Sequence, residues 1–181
     1  IGGKIVNLDG KTFTKSKIGC PDGTTVTIQN LFYNVPARLK FLKSDITEKQ
    51  RISTLVTKFA LAYPDIQFKL VNNQQNLLQT SGNGDRREIL NHVFGFDIAK
   101  QMLEVKFEEP PYSISGFISP VGVTRSNRKE ITFFVNGRWI QDVALNSAVI
   151  KAYHTMIMVG RYPIIVLFLD FPAEFVDVNV H

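Results

Sequence analysis

Two clusters of cations are the residues best suited to chemistry in this sequence. Arg38, Lys40 and Lys43 recur through PARLKFLKS, and Arg125, Arg128 and Lys129 crowd TRSNRKE, with Arg138 further on in NGRWI. Basic side chains on loops and helix ends are what proteins use to hold phosphate oxygens, although such clusters also serve as solvated faces. The charge is uneven in the same sense. Residues 1–80 hold 11 Lys/Arg against 5 Asp/Glu, and residues 81–181 hold 10 against 11, within a net charge of +5. This excess in the first part suits a polyanionic partner or a solvated surface.

Other chemistry is poorly provided for. His92, His154 and His181 are too scattered for a metal-ligand pattern. There is no Gly-x-Ser-x-Gly, P-loop or His-Glu-x-x-His motif. Cys20 is the only cysteine, so no disulfide forms within the chain, and nothing in its neighbourhood activates the thiol. Asp177 and Asn179 alternate with Val176, Val178 and Val180 and share a face with His181, which is either a polar site or the wet side of an edge strand. Met156 and Met158 are expected in the core. No apolar run approaches the ~18 residues needed to span a bilayer.

The elements that must position the cations follow from periodicity. Thr24–Gln29, TTVTIQ, alternates as a half-buried strand does. Pro36 suits the first turn of a short helix carrying Arg38, Lys40 and Lys43. A longer helix follows, with Asp45 and Glu48 at capping-box spacing and an apolar stripe of Ile52, Leu55, Val56, Phe59 and Tyr63, ending at Pro64. IQFKLV and NLLQT form a hairpin. Ser81–Asp85, SGNGD, is small and polar and is the expected domain boundary. After it, Asp85 and Glu88 cap a helix with Ile89, Leu90, Val93 and Phe94 apolar. Strands are expected at EVKF, YSISGFIS and ITFFV, with a tight hairpin at Asn136-Gly137. Asp142 caps a helix whose stripe is Leu145, Ala148, Val149, Ala152, Tyr153 and Met156. IIVLFLDF is continuously apolar, as a strand covered on both faces is. The start lacks an initiator Met and the last alternation stops in mid-pattern, so the chain is expected to be a piece of a longer protein.

DGTTVTIQNLFYNVPARLKFLKS resembles the pattern of MutL-type DNA mismatch repair proteins: a Gly-Thr-x-Val strand, Leu-Phe-Tyr-Asn, then Pro-Ala-Arg and a basic helix. FFVNGRWIQD, RYPIIVLFLDF and VDVNVH match further motifs in the same order, so the resemblance covers nearly the whole chain. It implies an α/β fold in two parts. Residues 1–80 would be the C-terminal portion of an ATPase domain of the gyrase, chaperone and histidine-kinase superfamily. Residues 81–84 would be a linker, and residues 85–181 a transducer domain of the ribosomal-protein-like α/β fold.

The resemblance also implies a function. The parent would be a weak ATPase using ATP and Mg, which dimerises on ATP binding, closes a clamp around DNA and couples mismatch recognition to downstream repair. Its partners would be DNA, itself or a MutL-type paralogue, and other repair proteins, in bacterial cytoplasm or a nucleus, with no membrane. Gly23 and Thr24 would belong to the last of four ATP-site motifs, with the Thr24 hydroxyl helping to hold the adenine. Arg125, Arg128, Lys129 and Arg138, with Arg38, Lys40 and Lys43 as a second set, are the expected DNA contacts; Arg38 is equally open to nucleotide, partner or solvent. The family's catalytic Glu, Mg-binding Asn, Asp-x-Gly-x-Gly and glycine-rich lid would lie before Ile1, and its phosphate-contacting Lys just after His181. This piece is therefore expected to contain no catalytic residue, bind no metal or cofactor and hydrolyse nothing. Val143 stands where some relatives carry a DNA-contacting Arg. The alternatives are a transducer region of another superfamily ATPase, such as a type II topoisomerase, and a nucleic-acid-binding module with no ATPase history.

Overall fold

The computed structural model describes residues 2–8 and 12–176. By its internal contacts the chain divides into two compact units, Ile1–Lys49 and Gln50–His181.

The first unit opens with an antiparallel ribbon, β1 (Gly2–Leu8) against β2 (Thr12–Ile18), in the register Gly2↔Ile18 to Leu8↔Thr12. Thr24–Gln29, expected as a strand, is extended chain outside any sheet. Val26 and Ile28 are 78% and 72% exposed. The alternation is real, but a strand needs a neighbour to satisfy its N–H and C=O groups, and no described strand of this unit lies beside it. LFYNVP then folds as two successive tight turns, closed by Tyr33 N–H to Asn30 O (3.0 Å) and Val35 N–H to Phe32 O (2.9 Å). Asn30 (φ 51°) and Phe32 (φ 66°) both lie in the left-handed region, an unusual position for a bulky aromatic. Pro36 begins α1 (Pro36–Phe41), as its missing N–H allows.

Helix α2 (Asp45–Ala62) carries the chain into the second unit. Its cap lies one residue before the expected Asp45. The Ser44 hydroxyl accepts from Thr47 N–H (3.4 Å), and Glu48 accepts from Lys43 N–H (2.9 Å). The face it buries also differs from expectation. Ala60 and Leu61 are buried and Val56 packs beside them, whereas Ile52, Leu55, Phe59 and Tyr63 are 45–52% exposed.

The hairpin β3 (Lys69–Asn72) and β4 (Gln75–Gln79) turns at Asn73 and Gln74, both at positive φ as a two-residue turn of this kind requires. The segment 81–84, expected as a linker, is tied into the second unit. Gly84 N–H bonds Pro64 O (3.1 Å), and Ser81 bonds the Glu88 carboxylate through its N–H and hydroxyl. A Cβ on Gly82 would lie 2.8 Å from the Gln67 backbone nitrogen. Small polar residues here permit close backbone packing, and Glu88 turns to Ser81 instead of closing the expected box with Asp85. Asp85 does cap α3 (Arg86–Phe94), accepting from Arg87 N–H at 2.8 Å; α4 (Phe96–Gln101) follows after Gly95.

Five of the later strands build one mixed sheet. Its strands are β5 (Leu103–Glu109), β6 (Tyr112–Ile118), β8 (Ile131–Val135), β9 (Arg138–Ile140) and β11 (Ile165–Asp170), in the order β5-β6-β11-β8-β9. Only β8 and β11 are parallel, because α5 (Val143–Ala152) lies in the crossover between them. Alternate residues of the two central strands feed two cores. Phe134, Val166 and Phe168 join Leu61, Ile89, Leu90 and Met102, while Ile131, Phe133, Ile165 and Leu169 join Leu145, Val149 and Tyr153. Coverage on both faces explains why IIVLFLDF has no polar alternation. Helix α5 is capped by Asp142, whose carboxylate accepts from Leu145 N–H at 2.7 Å. Its inward stripe ends at Tyr153, and Met156 and Met158, expected in the core, are 54% and 80% exposed. No helix of the described residues is long and apolar enough to cross a membrane. Asp177, Asn179 and His181 lie outside the described residues.

Candidate nucleic-acid interface

Beyond the ends of the central strands the chain forms a two-residue ribbon, β7 (Thr124–Arg125) against β10 (Tyr162–Pro163), with Tyr162 opposite Arg125 and Pro163 opposite Thr124. Its root is a buried polar joint. Ser119 N–H bonds Ile164 O (2.9 Å), and Ile164 N–H donates to the Ser119 hydroxyl (3.0 Å). The Ser119 carbonyl accepts from the Tyr153 hydroxyl at 2.6 Å. Burial raises the pKa of Tyr153 above the ordinary phenol value, partly opposed by that bond.

The ribbon gathers cations. Arg125 is half-buried, its Nη1 directed at the Thr124 carbonyl (3.4 Å). The exposed Arg128 guanidinium sits 5.1 Å from the centre of the Tyr162 ring, a cation–π contact. Lys129 is exposed, its backbone N–H fixed by Asn127 Oδ1 at 3.0 Å. Arg161, not anticipated from the sequence, joins them: Nε donates to Thr124 Oγ1 (3.0 Å) and Nη2 to Thr124 O (3.3 Å). Among the described residues none of these four cations is ion-paired to a carboxylate. Glu130, next in the chain, acts electrostatically on Lys58 instead. The group can therefore offer guanidinium and ammonium donors to phosphate oxygens without first breaking a salt bridge. Only the pairing of β7 with β10 reveals Arg161, since 36 residues separate it from Arg125.

Arg138 is not part of this group. It opens β9 opposite Val135, at the far end of β8 from Arg128 and Lys129, and a strand of this length spans roughly 13 Å. The Asn136-Gly137 turn thus carries Arg138 to the other end of the sheet. There it borders an open groove of ≈ 240 Å³ lined by Leu55, Lys58, Phe59, Tyr63 and Trp139. Lys58, also missed in the sequence, donates to the Thr132 hydroxyl (2.6 Å) and lies 6.0 Å from the Trp139 ring centre. Burial lowers its pKa, with Glu130 pulling the other way.

In the first unit Arg38, Lys40 and Lys43 are all exposed on or just after α1. Gly23 takes φ 134°, and Thr24 is exposed. Val143 is 83% exposed at the first turn of α5.

The mixed sheet with helices on both faces, and the ATPase-domain structures it matches, place the chain among mixed α/β domains of the gyrase, chaperone and histidine-kinase type. The ATPase domain of the mismatch repair endonuclease MutL from Aquifex aeolicus superposes with a TM-score of 0.71 at 26% identity, covering 99% of this chain and 65% of that one. An ADP complex of the same domain gives 0.60 at 25% identity, over 80% and 51%. Residues 90–181 match the family described as DNA mismatch repair protein, C-terminal domain. The chain is 46% identical to the DNA mismatch repair protein MutL of Agathobacter rectalis and 41% to that of a Geobacillus species, each over 99% of its own length. It belongs to the MutL family of DNA mismatch repair proteins. It spans 28% and 29% of those two relatives.

Proposed function

We propose that the chain is the segment of a MutL-type mismatch repair protein that joins the end of the nucleotide domain, residues 1–80, to a transducer domain, residues 85–181. In the whole protein ATP binding, with Mg, drives dimerisation with a second copy or a MutL-type paralogue. The resulting clamp holds DNA and signals to other repair proteins in cytoplasm or nucleus. Gly23 and Thr24 form part of the adenine side of the nucleotide site; the ADP complex of the Aquifex relative supports this reading.

The observation that carries the DNA reading is the ribbon: Arg125, Arg128, Lys129 and Arg161 gathered at one end of the sheet, none of them ion-paired to a carboxylate among the described residues. Contacts of this kind go to phosphates and carry no base preference. Binding by this segment alone is weak and independent of sequence, micromolar or weaker at physiological salt, and each neutralised phosphate contributes about −0.9 to the log–log salt slope.

Fluorescence anisotropy of a labelled duplex against salt tests this. Arg125→Ala with Arg128→Ala should flatten the slope by about 2. Arg138→Ala alone should flatten it by no more than about 1, because Arg138 stands apart. An unchanged slope in the ribbon variant, with loss in an Arg38/Lys40/Lys43→Ala variant, moves the DNA surface to α1.

A further inference from the structure

The ribbon is fed by a turn whose composition does not suit a surface loop. Residues 158–161 are Met, Val, Gly and Arg, closed by Arg161 N–H to Met158 O at 3.0 Å. Gly160 at φ 78° takes the third position, the geometry of a type II turn, so Val159 stands at the apex. Met158 is 80% exposed and Val159 104%. Isolated apolar residues on a surface need no explanation. Two adjacent ones at the apex of a glycine-tightened turn, where polar residues or proline ordinarily serve, are a different matter. The next residue is Arg161, whose guanidinium is pinned to Thr124, and the one after is Tyr162, beneath Arg128.

We propose that Met158 and Val159 form an apolar wedge that enters a groove of duplex DNA while Arg161, Arg128 and Arg125 hold the flanking phosphates. The inference rests on the DNA reading of the ribbon, Arg161 included, and adds to it a non-electrostatic contact. The match is one of charge and polarity. A duplex offers anionic rims on either side of a floor of sugar and base edges, and the turn offers cations behind an apolar apex. Apolar side chains flanked by cations are a general device for prying at a base step. Pinning matters as well: Arg161 has already lost much of its rotamer freedom to Thr124, so ordering it on a phosphate costs less.

The two components leave different signatures. Counterion release sets the salt slope, and apolar burial shifts affinity equally at every salt concentration. Replacing both exposed apolar residues, Met158→Ser with Val159→Ser, should weaken binding about tenfold at each salt concentration with the slope unchanged. Arg161→Ala should flatten the slope by about 0.9. Neither change touches the core, and unaltered thermal melts confirm that. A duplex carrying 2-aminopurine reports unstacking directly: its fluorescence should rise with the unaltered chain and not with the double Ser variant. A double Ser variant that binds and unstacks like the unaltered chain overturns the wedge. So does Ser-sensitive sedimentation with phosphatidylcholine–phosphatidylserine vesicles when duplex binding is indifferent to the substitution, since that assigns the apex to a lipid surface. The underlying reading fails separately, by an unchanged slope in the Arg125/Arg128→Ala variant.

Discussion

Ser119→Ala should uncouple the ribbon from the sheet that supports it. Strand β11 begins at Ile165 and β10 ends at Pro163, so Ile164 falls between two ladders. It is 0% exposed, and its N–H donates only to the Ser119 hydroxyl. Ser119, 1% exposed, returns the favour with its own N–H to Ile164 O. Removing one oxygen therefore leaves a buried N–H with no acceptor, and the site is too enclosed for bulk water to supply one. An orphaned buried donor costs about 1–3 kcal/mol, far more than the hydrogen bond's net worth when both partners are replaced. At about 2 kcal/mol, a chain of this size should lose roughly 4–8 °C in melting temperature.

Urea unfolding followed by Trp139, the single tryptophan, measures the loss. The effect should extend to function, because Thr124, Arg125 and Arg161 hang from this joint. DNA affinity should fall although no cation has changed. Tyr153→Phe is the control. It removes the donor to the Ser119 carbonyl, and a carbonyl tolerates an unused lone pair better than an N–H tolerates isolation. Its cost should stay near 1 kcal/mol, with the ribbon in place. If Ser119→Ala unfolds within about 0.5 kcal/mol of the unaltered chain, Ile164 finds another acceptor and the argument for a polar joint fails.

Further outcomes can be checked alongside. Lys58 has its pKa lowered by burial below the ordinary 10.5, so the unfolded chain binds the extra proton. Stability should rise with pH between the folded value and 10.5, and Lys58→Met should abolish that rise in pH-dependent melts. Tyr153 acts oppositely: its raised pKa makes the unfolded chain ionise first, so stability should fall above the ordinary value of 10.0. Gly116→Ala would drive a Cβ into the Val166 carbonyl oxygen at φ 142°, which should cost about 3 kcal/mol or more in urea unfolding. Limited proteolysis should cut first within 22–29, exposed and outside any ladder, and spare 81–84, which is bonded to Pro64 and Glu88. The 181-residue chain alone should release no phosphate from ATP above a buffer control.

The sheet was largely legible. Asp85 and Asp142 stand where a helix begins, Asn136-Gly137 where a hairpin turns, and the unbroken apolar run of β11 where two cores meet. These are local signals, fixed by a few adjacent residues. The cationic site was half legible for the same reason. Arg125, Arg128 and Lys129 are neighbours in the chain, but Arg161 reaches them only through a two-residue pairing that no periodicity announces. Arg138 is expected beside them because the Asn136-Gly137 turn reverses the chain, but strand register pairs it with Val135 at the other end of the sheet.

Helix α2 marks the sharper limit of reading by pattern. The stripe Ile52, Leu55, Val56, Phe59 and Tyr63 is a correct helical period, yet of these only Val56 packs on the core, and the buried face is centred about one residue, or 100°, further round, on Val56 and Ala60. The helix thus carries apolar residues outside its buried face as well: Ile52, Leu55 and Phe59, with Tyr63 just beyond its end, are 45–52% exposed. A helix of that kind is built to be covered on more than one side, and the core of its own unit covers only the Val56–Leu61 side. Periodicity establishes that a stripe is helical and apolar. Which of two such stripes meets the core depends on the volume each presents. Here the smaller Ala60, 0% exposed, sits with Leu61 in the core that also holds Phe134, Val166 and Phe168, and the Lys58 side chain reaches Thr132.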